Sequence, residues 1–202
     1  MWSTTAVAPA RAGVEDSQDG DVTIPARKLF DIVRALPDGS RISLTHNSDK
    51  ATIQAGKSRY TLATLPARDF PENDQLAIIE RIRVPEAALK ELIERTAFAM
   101  AQQDVRYYLN GLLLDLKGKT LRCVSTDGHR LALCETELSE SIENRKQIIM
   151  PRKGVLELQR LLEDSDGDIE LEVGNNHLRI SRSDVTFSTK LIEGKFPDYE
   201  AV

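Results

Sequence analysis

Residues 125–134 read Ser-Thr-Asp-Gly-His-Arg-Leu-Ala-Leu-Cys, and they gather Asp127, His129 and Arg130 around Gly128. A carboxylate beside a histidine is a fragment of acid–base or nucleophilic chemistry. Such a site also needs a nucleophile and a base oriented by a third group, and no other stretch nominates them. The chain has three histidines, no HExxH, and no second His at ligand spacing from His129, so nothing supports a zinc site and no cofactor is expected. Leu121 and Cys123 alternate with polar residues before the segment, and Leu131 and Leu133 alternate after it. Asp-Gly between two alternating runs predicts a hairpin with a type I′ turn, in which both central residues take positive φ. Turn chemistry accounts for Asp127 and Gly128 but not for Thr126, His129 and Arg130. A surface hairpin, a recognition loop and a hydrolase using Asp127 and His129 are three readings of this stretch taken alone.

A second constellation is cationic. Arg27-Lys28 and Arg152-Lys153 each fall where a helix begins, against the positive end of its dipole, a placement that costs about 0.3–1 kcal/mol each when exposed. The same end offers free N–H groups to anions. Residues 25–36 carry Arg27, Lys28 and Arg34 against Asp31, and residues 151–162 carry Arg152, Lys153 and Arg160 against Glu157. Two such helices in a chain of net charge −5 imply segregated charge, which suits a polyanion or, equally, a solvated helix face. A third stretch, "AQQDVRYYLNG" (101–111), sets Gln103 and Arg106 before Tyr107-Tyr108, types that suit backbone contact or base stacking, or one core and one rim tyrosine. The tyrosines are expected to open a strand that turns at Lys117-Gly118-Lys119 rather than at Asn110-Gly111.

The elements that must hold these residues repeat. "TIPARKLFDIVRAL" (23–36) and "IMPRKGVLELQRLL" (149–162) share a β-branched residue, a proline, a basic pair and an apolar helical stripe. Each runs on through alternating strands to Phe-Pro, with 46 residues from Pro25 to Pro71 and again from Pro151 to Pro197. "IRVPEAALKELIERTAFAM" (82–100) is a looser copy, with Leu89, Leu92, Ile93 and Met100 at helical spacing. Proline suits the first turn of each helix, where its missing N–H is not needed. The fold class is therefore α+β: a βα-plus-strands unit of about 60 residues used three times, with helices packed on one side of antiparallel sheets. Residues 1–20, rich in Ala, Ser, Pro and Gly, read as a disordered tail, residues 21–80 as half a domain, and 81–200 as a complete one. The half domain is expected to expose unpaired strand edges. At 202 residues and 41% apolar, the chain shows no signal peptide and no membrane-length apolar run. Cys123 and Cys134 are too few for a disulfide framework and read as free thiols of a cytoplasmic protein.

In order and spacing, "QDVRYYLNG", "STDGHRLAL", "PRKG" and "FPDY" resemble the sliding clamp, or β subunit, of bacterial DNA polymerase III, and "TIPARK" and "TLPARDFP" resemble the end of that family's first domain. The resemblance covers about 21–202. It implies the DNA-clamp fold, three similar domains per chain, and a ring homodimer around duplex DNA in the full-length family. It implies a processivity factor, not an enzyme. It implies a peptide site at Leu109, Thr126, Gly128, His129, Arg130, Leu131, Pro197 and Val202, which would take short linear peptides of the polymerase III catalytic subunit, the clamp loader and repair or translesion polymerases. It implies sequence-independent contacts to duplex DNA through Gln103, Arg106, Tyr107, Tyr108, Arg152 and Lys153, with Arg27 and Arg34 beside them. Glu200-Ala201 stand where the family commonly has basic residues. The first half of domain one and all of domain three have no counterpart here, so this chain is expected not to encircle DNA by itself. A peptide-binding decoy with no role on DNA is the alternative.

Overall fold

A computed structural model describes residues 4–7, 20–70, 77–182 and 185–201. In chain order the elements are β1 (Thr4–Val7), β2 (Val22–Thr23), α1 (Ala26–Arg34), β3 (Ser43–Asn47), β4 (Lys50–Ala55), β5 (Ser58–Ala63), β6 (Leu65–Pro66), β7 (Ile78–Pro85), α2 (Glu86–Thr96), β8 (Gly111–Thr126), β9 (Leu131–Pro151), α3 (Arg152–Leu161), β10 (Asp168–Gly174), β11 (His177–Arg182) and β12 (Val185–Lys190). Three prolines open the three helices alike. Pro25, Pro85 and Pro151 are the N-cap residues, with φ of −58°, −56° and −64° and extended ψ of 102°, 129° and 147°. The ring fixes φ and the extended ψ ends a strand, so the helix starts one residue after the proline rather than on it.

The repeat continues past the helices. In the first copy three antiparallel strands follow α1, and β6 returns beside β2 with Thr23 opposite Leu65. In the last copy β10, β11 and β12 follow α3, and Ile192 bridges back to Ile149. The middle copy instead sends its chain into β8, paired along its length with β9.

The chain separates into two compact units, residues 12–74 and residues 75–202 together with 1–11. The larger unit has a five-stranded sheet in the order β1-β12-β11-β10-β7 and the β8–β9 ribbon. Within the stretch 1–20, read as a disordered tail, Thr4–Val7 instead form β1 and pair with Thr186–Thr189 of β12, while residues 1–3 and 8–19 lie outside the described residues. The helices α2 and α3 bury Leu89, Leu92, Ile93, Val155 and Leu158, and these join Leu112, Leu114, Leu116, Leu121 and Cys123 of β8 in the main core. The alternate residues Leu113 and Val124 point to the opposite face, into a second cluster with Ile149, Ile192, Phe196 and Tyr199. The apolar run Leu112–Leu114 thus follows from burial on both faces. Ser125 donates to the Thr96 carbonyl at 2.5 Å, tying the end of β8 to the end of α2.

Two expectations fail in β8. Lys117-Gly118-Lys119 is no hairpin turn. The strand continues to Thr126, and its register slips around Gly118, whose φ is +57°, as a bulge. Tyr107-Tyr108 belong to a 3₁₀ turn, Tyr107–Leu109, ahead of the strand. Cys123 and Cys134 lie opposite one another as free thiols, and burial pushes the Cys123 thiol well above the usual range.

The smaller unit holds the sheet β3-β4-β5 and the β2–β6 pair. Its buried apolar residues are Ala51, Ile53, Ala55 and Leu62. No residue of α1 is buried, Phe30 is 62% exposed, and β3 is exposed throughout. Among the described residues β3 pairs only with β4, which leaves its outer edge open. Pro71, the Phe-Pro end of the first copy, lies outside the described residues.

Candidate functional site

The β8–β9 hairpin closes between Thr126 and Leu131, leaving a four-residue connection. Only Gly128 takes positive φ there, at +89°, so the two-residue I′ turn is replaced by a longer loop. Its cause is the Asp127 side chain: Oδ1 accepts the His129 and Arg130 N–H groups at 3.0 Å each, and Oδ2 accepts Arg130 Nε at 3.1 Å. The backbone donors of His129 and Arg130 hold this carboxyl below its usual range. The Thr126 hydroxyl donates to the Arg130 carbonyl at 2.6 Å and accepts the Gly128 N–H at 3.0 Å. The Asp127 carboxylate is therefore engaged in building the loop, to which His129 contributes its backbone N–H. Arg130 also donates through Nη2 to the Phe98 carbonyl at 2.8 Å and lies 5.5 Å from the centre of the Phe98 ring, a cation–π contact.

Leu131 and Leu133, 40% and 45% exposed, extend from the loop as an open apolar shelf. They pair across the ribbon with Thr126 and Val124. Val124 belongs to the cluster that holds Phe196 and Tyr199, so the shelf shares a face with the segment carrying exposed Pro197. Leu109 is buried and serves as support beneath the surface. Val202 lies outside the described residues. A hollow of about 370 Å³ is lined by Phe98, Gln102, Asp104, Asp127, His129 and Arg130, and one of about 380 Å³ by Asp115, Lys117 and Arg122. Neither includes Leu131 or Pro197.

The segment 196–201 is held by a charge network that no sequence pattern announced. Asp115, 2% exposed, accepts Arg145 Nε at 3.0 Å on Oδ1, and on Oδ2 accepts Arg145 Nη2 at 2.6 Å, Gln147 Nε2 at 2.9 Å and the Tyr199 hydroxyl at 2.6 Å. Burial alone would raise this carboxyl, but Arg145, Tyr199 and Gln147 outweigh it and hold it below the usual range. Glu200 joins in, accepting from Arg122 at 3.0 Å and Arg145 at 3.3 Å. Arg122 also donates to Glu135 at 2.6 Å.

Arg152 gathers with the 100–110 segment in the larger unit. The Asn110 carbonyl accepts the Arg152 N–H at 2.9 Å, and Arg152 Nη1 reaches the Met100 carbonyl at 3.4 Å, so residues 100–110 lie against the start of α3. Lys153, Gln103 and Tyr107 are exposed there, and Tyr108 is half-buried against the outer cluster. The two tyrosine rings meet edge to face at 5.8 Å. Arg106 is paired with Asp104 at 2.9 Å. Arg27 and Arg34 lie on α1 in the smaller unit and are exposed. Sequence reasoning missed Phe98, Asp104, Asn110 and the Asp115 network. Leu133 was legible in the alternation after the loop.

A strand, a capping proline and a helix, repeated and backed by antiparallel strands, form the architecture of DNA clamps. Residues 83–198 match the family model of the DNA polymerase III beta subunit central domain, and residues 6–74 match that of its N-terminal domain. The chain is 50% identical over 188 residues to the beta sliding clamp of Pseudomonas putida, covering 93% of this chain and 51% of that protein. It is 44% identical over 189 residues to that of Escherichia coli K12, covering 94% and 51%. A crystal structure of the Pseudomonas aeruginosa DNA polymerase III subunit beta superposes with a TM-score of 0.92 at 47% identity, covering 98% of this chain and 55% of that one. The clamp of the same species bound to griselimycin gives 0.90 at 47% identity, covering 98% and 54%. The chain belongs to the DNA polymerase III beta subunit family, the beta sliding clamps. It spans about half the length of the curated relatives it matches.

Proposed function

We propose that this chain is the part of a DNA sliding clamp that receives the short linear peptides of clamp partners, namely the polymerase III catalytic subunit, the clamp loader and repair or translesion polymerases. The observation that carries this reading is the Asp127-built loop ending in the Leu131–Leu133 shelf, on the same face as the segment anchored by Tyr199. Apolar anchors would rest on Leu131, Leu133 and Pro197, with Thr126, Gly128, His129 and Arg130 forming the rim. Leu109 would back it. Its role is tethering, without catalysis, metal or cofactor, in the cytoplasm.

Duplex DNA would meet Gln103, Tyr107, Tyr108, Arg152 and Lys153 through its backbone, with Arg27 and Arg34 contributing from α1. Such contacts need be neither numerous nor strong, because a clamp holds DNA by topology, and they accord with an overall charge of −5. In domain terms, residues 81–200 correspond to the clamp's second domain and 21–80 to the end of its first.

Titration with labelled griselimycin tests the peptide site. Wild type is expected to bind saturably, and Leu131→Asp to lose at least tenfold in affinity, because a carboxylate on the shelf would have to be desolvated wherever an apolar anchor is seated on it. Equal binding by both proteins would refute the placement of the site.

A further inference from the structure

The structure assigns Arg106 as a positioning residue: its guanidinium, based on Asp104, props the Asp127–Gly128 turn in the shape that presents Arg130 and Leu131. This rests on the peptide-binding reading of that loop. In the family resemblance Arg106 counts with the DNA contacts, but its geometry here serves the neighbouring loop.

The base of the prop is rigid. Asp104 donates its N–H to Asn110 Oδ1 at 2.9 Å and accepts Asn110 Nδ2 on its carbonyl at 2.8 Å, while the Asn110 carbonyl takes the first N–H of α3. Asp104 then grips Arg106 three times: Oδ1 accepts the backbone N–H at 2.8 Å and Nε at 3.0 Å, and Oδ2 accepts Nη2 at 2.9 Å. This forked pairing fixes the guanidinium plane and occupies the edge that would otherwise clasp a phosphate.

The far edge reaches the turn. Nη2 also donates to the Asp127 carbonyl at 3.3 Å. A Cβ built on Gly128 would fall 3.0 Å from both Nη1 and Nη2 and 3.4 Å from Cζ. The guanidinium therefore occupies the space that a side chain at position 128 would enter. Gly128 is favoured by its φ of +89°, and a side chain there would in addition press on the guanidinium. Lysine, a point charge without a flat face, can do neither part of the job.

The test measures griselimycin affinity for wild type, Arg106→Ala, Arg106→Lys, Gly128→Ala and the Arg106→Ala/Gly128→Ala double variant. It adds amide exchange at 128–130 and the salt dependence of duplex DNA binding. Arg106→Ala is expected to lose about tenfold in griselimycin affinity and to speed exchange at 128–130 about tenfold, and Arg106→Lys to recover less than twofold of either. Backbone strain from alanine at 128 is common to both backgrounds and cancels in the cycle. The steric part vanishes without Arg106, so Gly128→Ala should cost at least fivefold less in the Arg106→Ala background. The DNA salt slope should not change. Additive losses, or affinity and exchange both unmoved in Arg106→Ala, would overturn the assignment, as would a salt slope reduced by about one with griselimycin binding intact. If wild type fails to bind griselimycin, the peptide-site reading falls. The prop then stands on faster exchange in Arg106→Ala and falls on unchanged exchange.

Discussion

Replacing Asp115 by Asn is expected to loosen the segment that carries Pro197. Asp115 Oδ2 takes three donors and Oδ1 takes Arg145 Nε. Asparagine keeps one acceptor, which best replaces Oδ2, and turns its amide NH₂ toward Arg145 Nε, a donor against a donor. The charge is lost as well, leaving Glu200 at 3.3 Å as the carboxylate that still faces Arg145. Breaking a fully buried ion pair from one side costs about 3–5 kcal/mol. Arg145 is a third exposed, so water recovers part of that and about 2 kcal/mol remains. For a unit of this size that lowers Tm by about 4–8 °C. The carboxyl is held below its usual value, so the wild-type advantage is complete above about pH 4, the ordinary range of an unfolded Asp, and fades as pH falls through the lower folded value. Thermal melts of both proteins at pH 7.5, 5 and 3 read this directly, and griselimycin affinity should fall in parallel at pH 7.5. A gap below 0.5 kcal/mol at pH 7.5, or one undiminished at pH 3, would refute the reasoning.

Gly154→Ala in α3 reverses the usual helix preference for alanine, because its Cβ would lie 2.8 Å from Thr189 Oγ1 and 3.3 Å from Thr189 Cβ. A loss of about 1–3 kcal/mol in chemical denaturation is expected, against a gain were the site open. Joint replacement of Arg152 and Lys153 by Ala should weaken binding to any duplex and reduce the salt slope by about 2, read by fluorescence anisotropy across a salt series. Hydrogen exchange should be faster in residues 43–47 and in α1 than in α2 and β8, since α1 buries no residue and β3 is exposed along its length. Equal protection would show that this face is covered.

Much of the fold was legible where a pattern acts within one element. The stripe Leu89, Leu92, Ile93 made α2, and the alternation on either side of Asp127-Gly128 made the hairpin. The misreadings came from competing local chemistry. The rule that makes Asp-Gly a two-residue turn considers backbone φ alone. The Asp127 side chain instead satisfies two N–H groups and sustains four residues. A glycine between two lysines signals a turn, but the positive φ of Gly118 serves a bulge equally well.

The sequence by itself determined that a strand, a proline and a helix would recur three times and that cations would stand where two of those helices begin, since both depend on neighbours a few positions apart. Only the tertiary structure decided that Asp115 would meet Arg145 and Tyr199, 30 and 84 residues away, and that Arg106 would press on Gly128. Such pairs carry no periodic signature. They come into being when tertiary packing brings distant segments within hydrogen-bonding reach, and a group buried as Asp115 is must then find its partners within the protein.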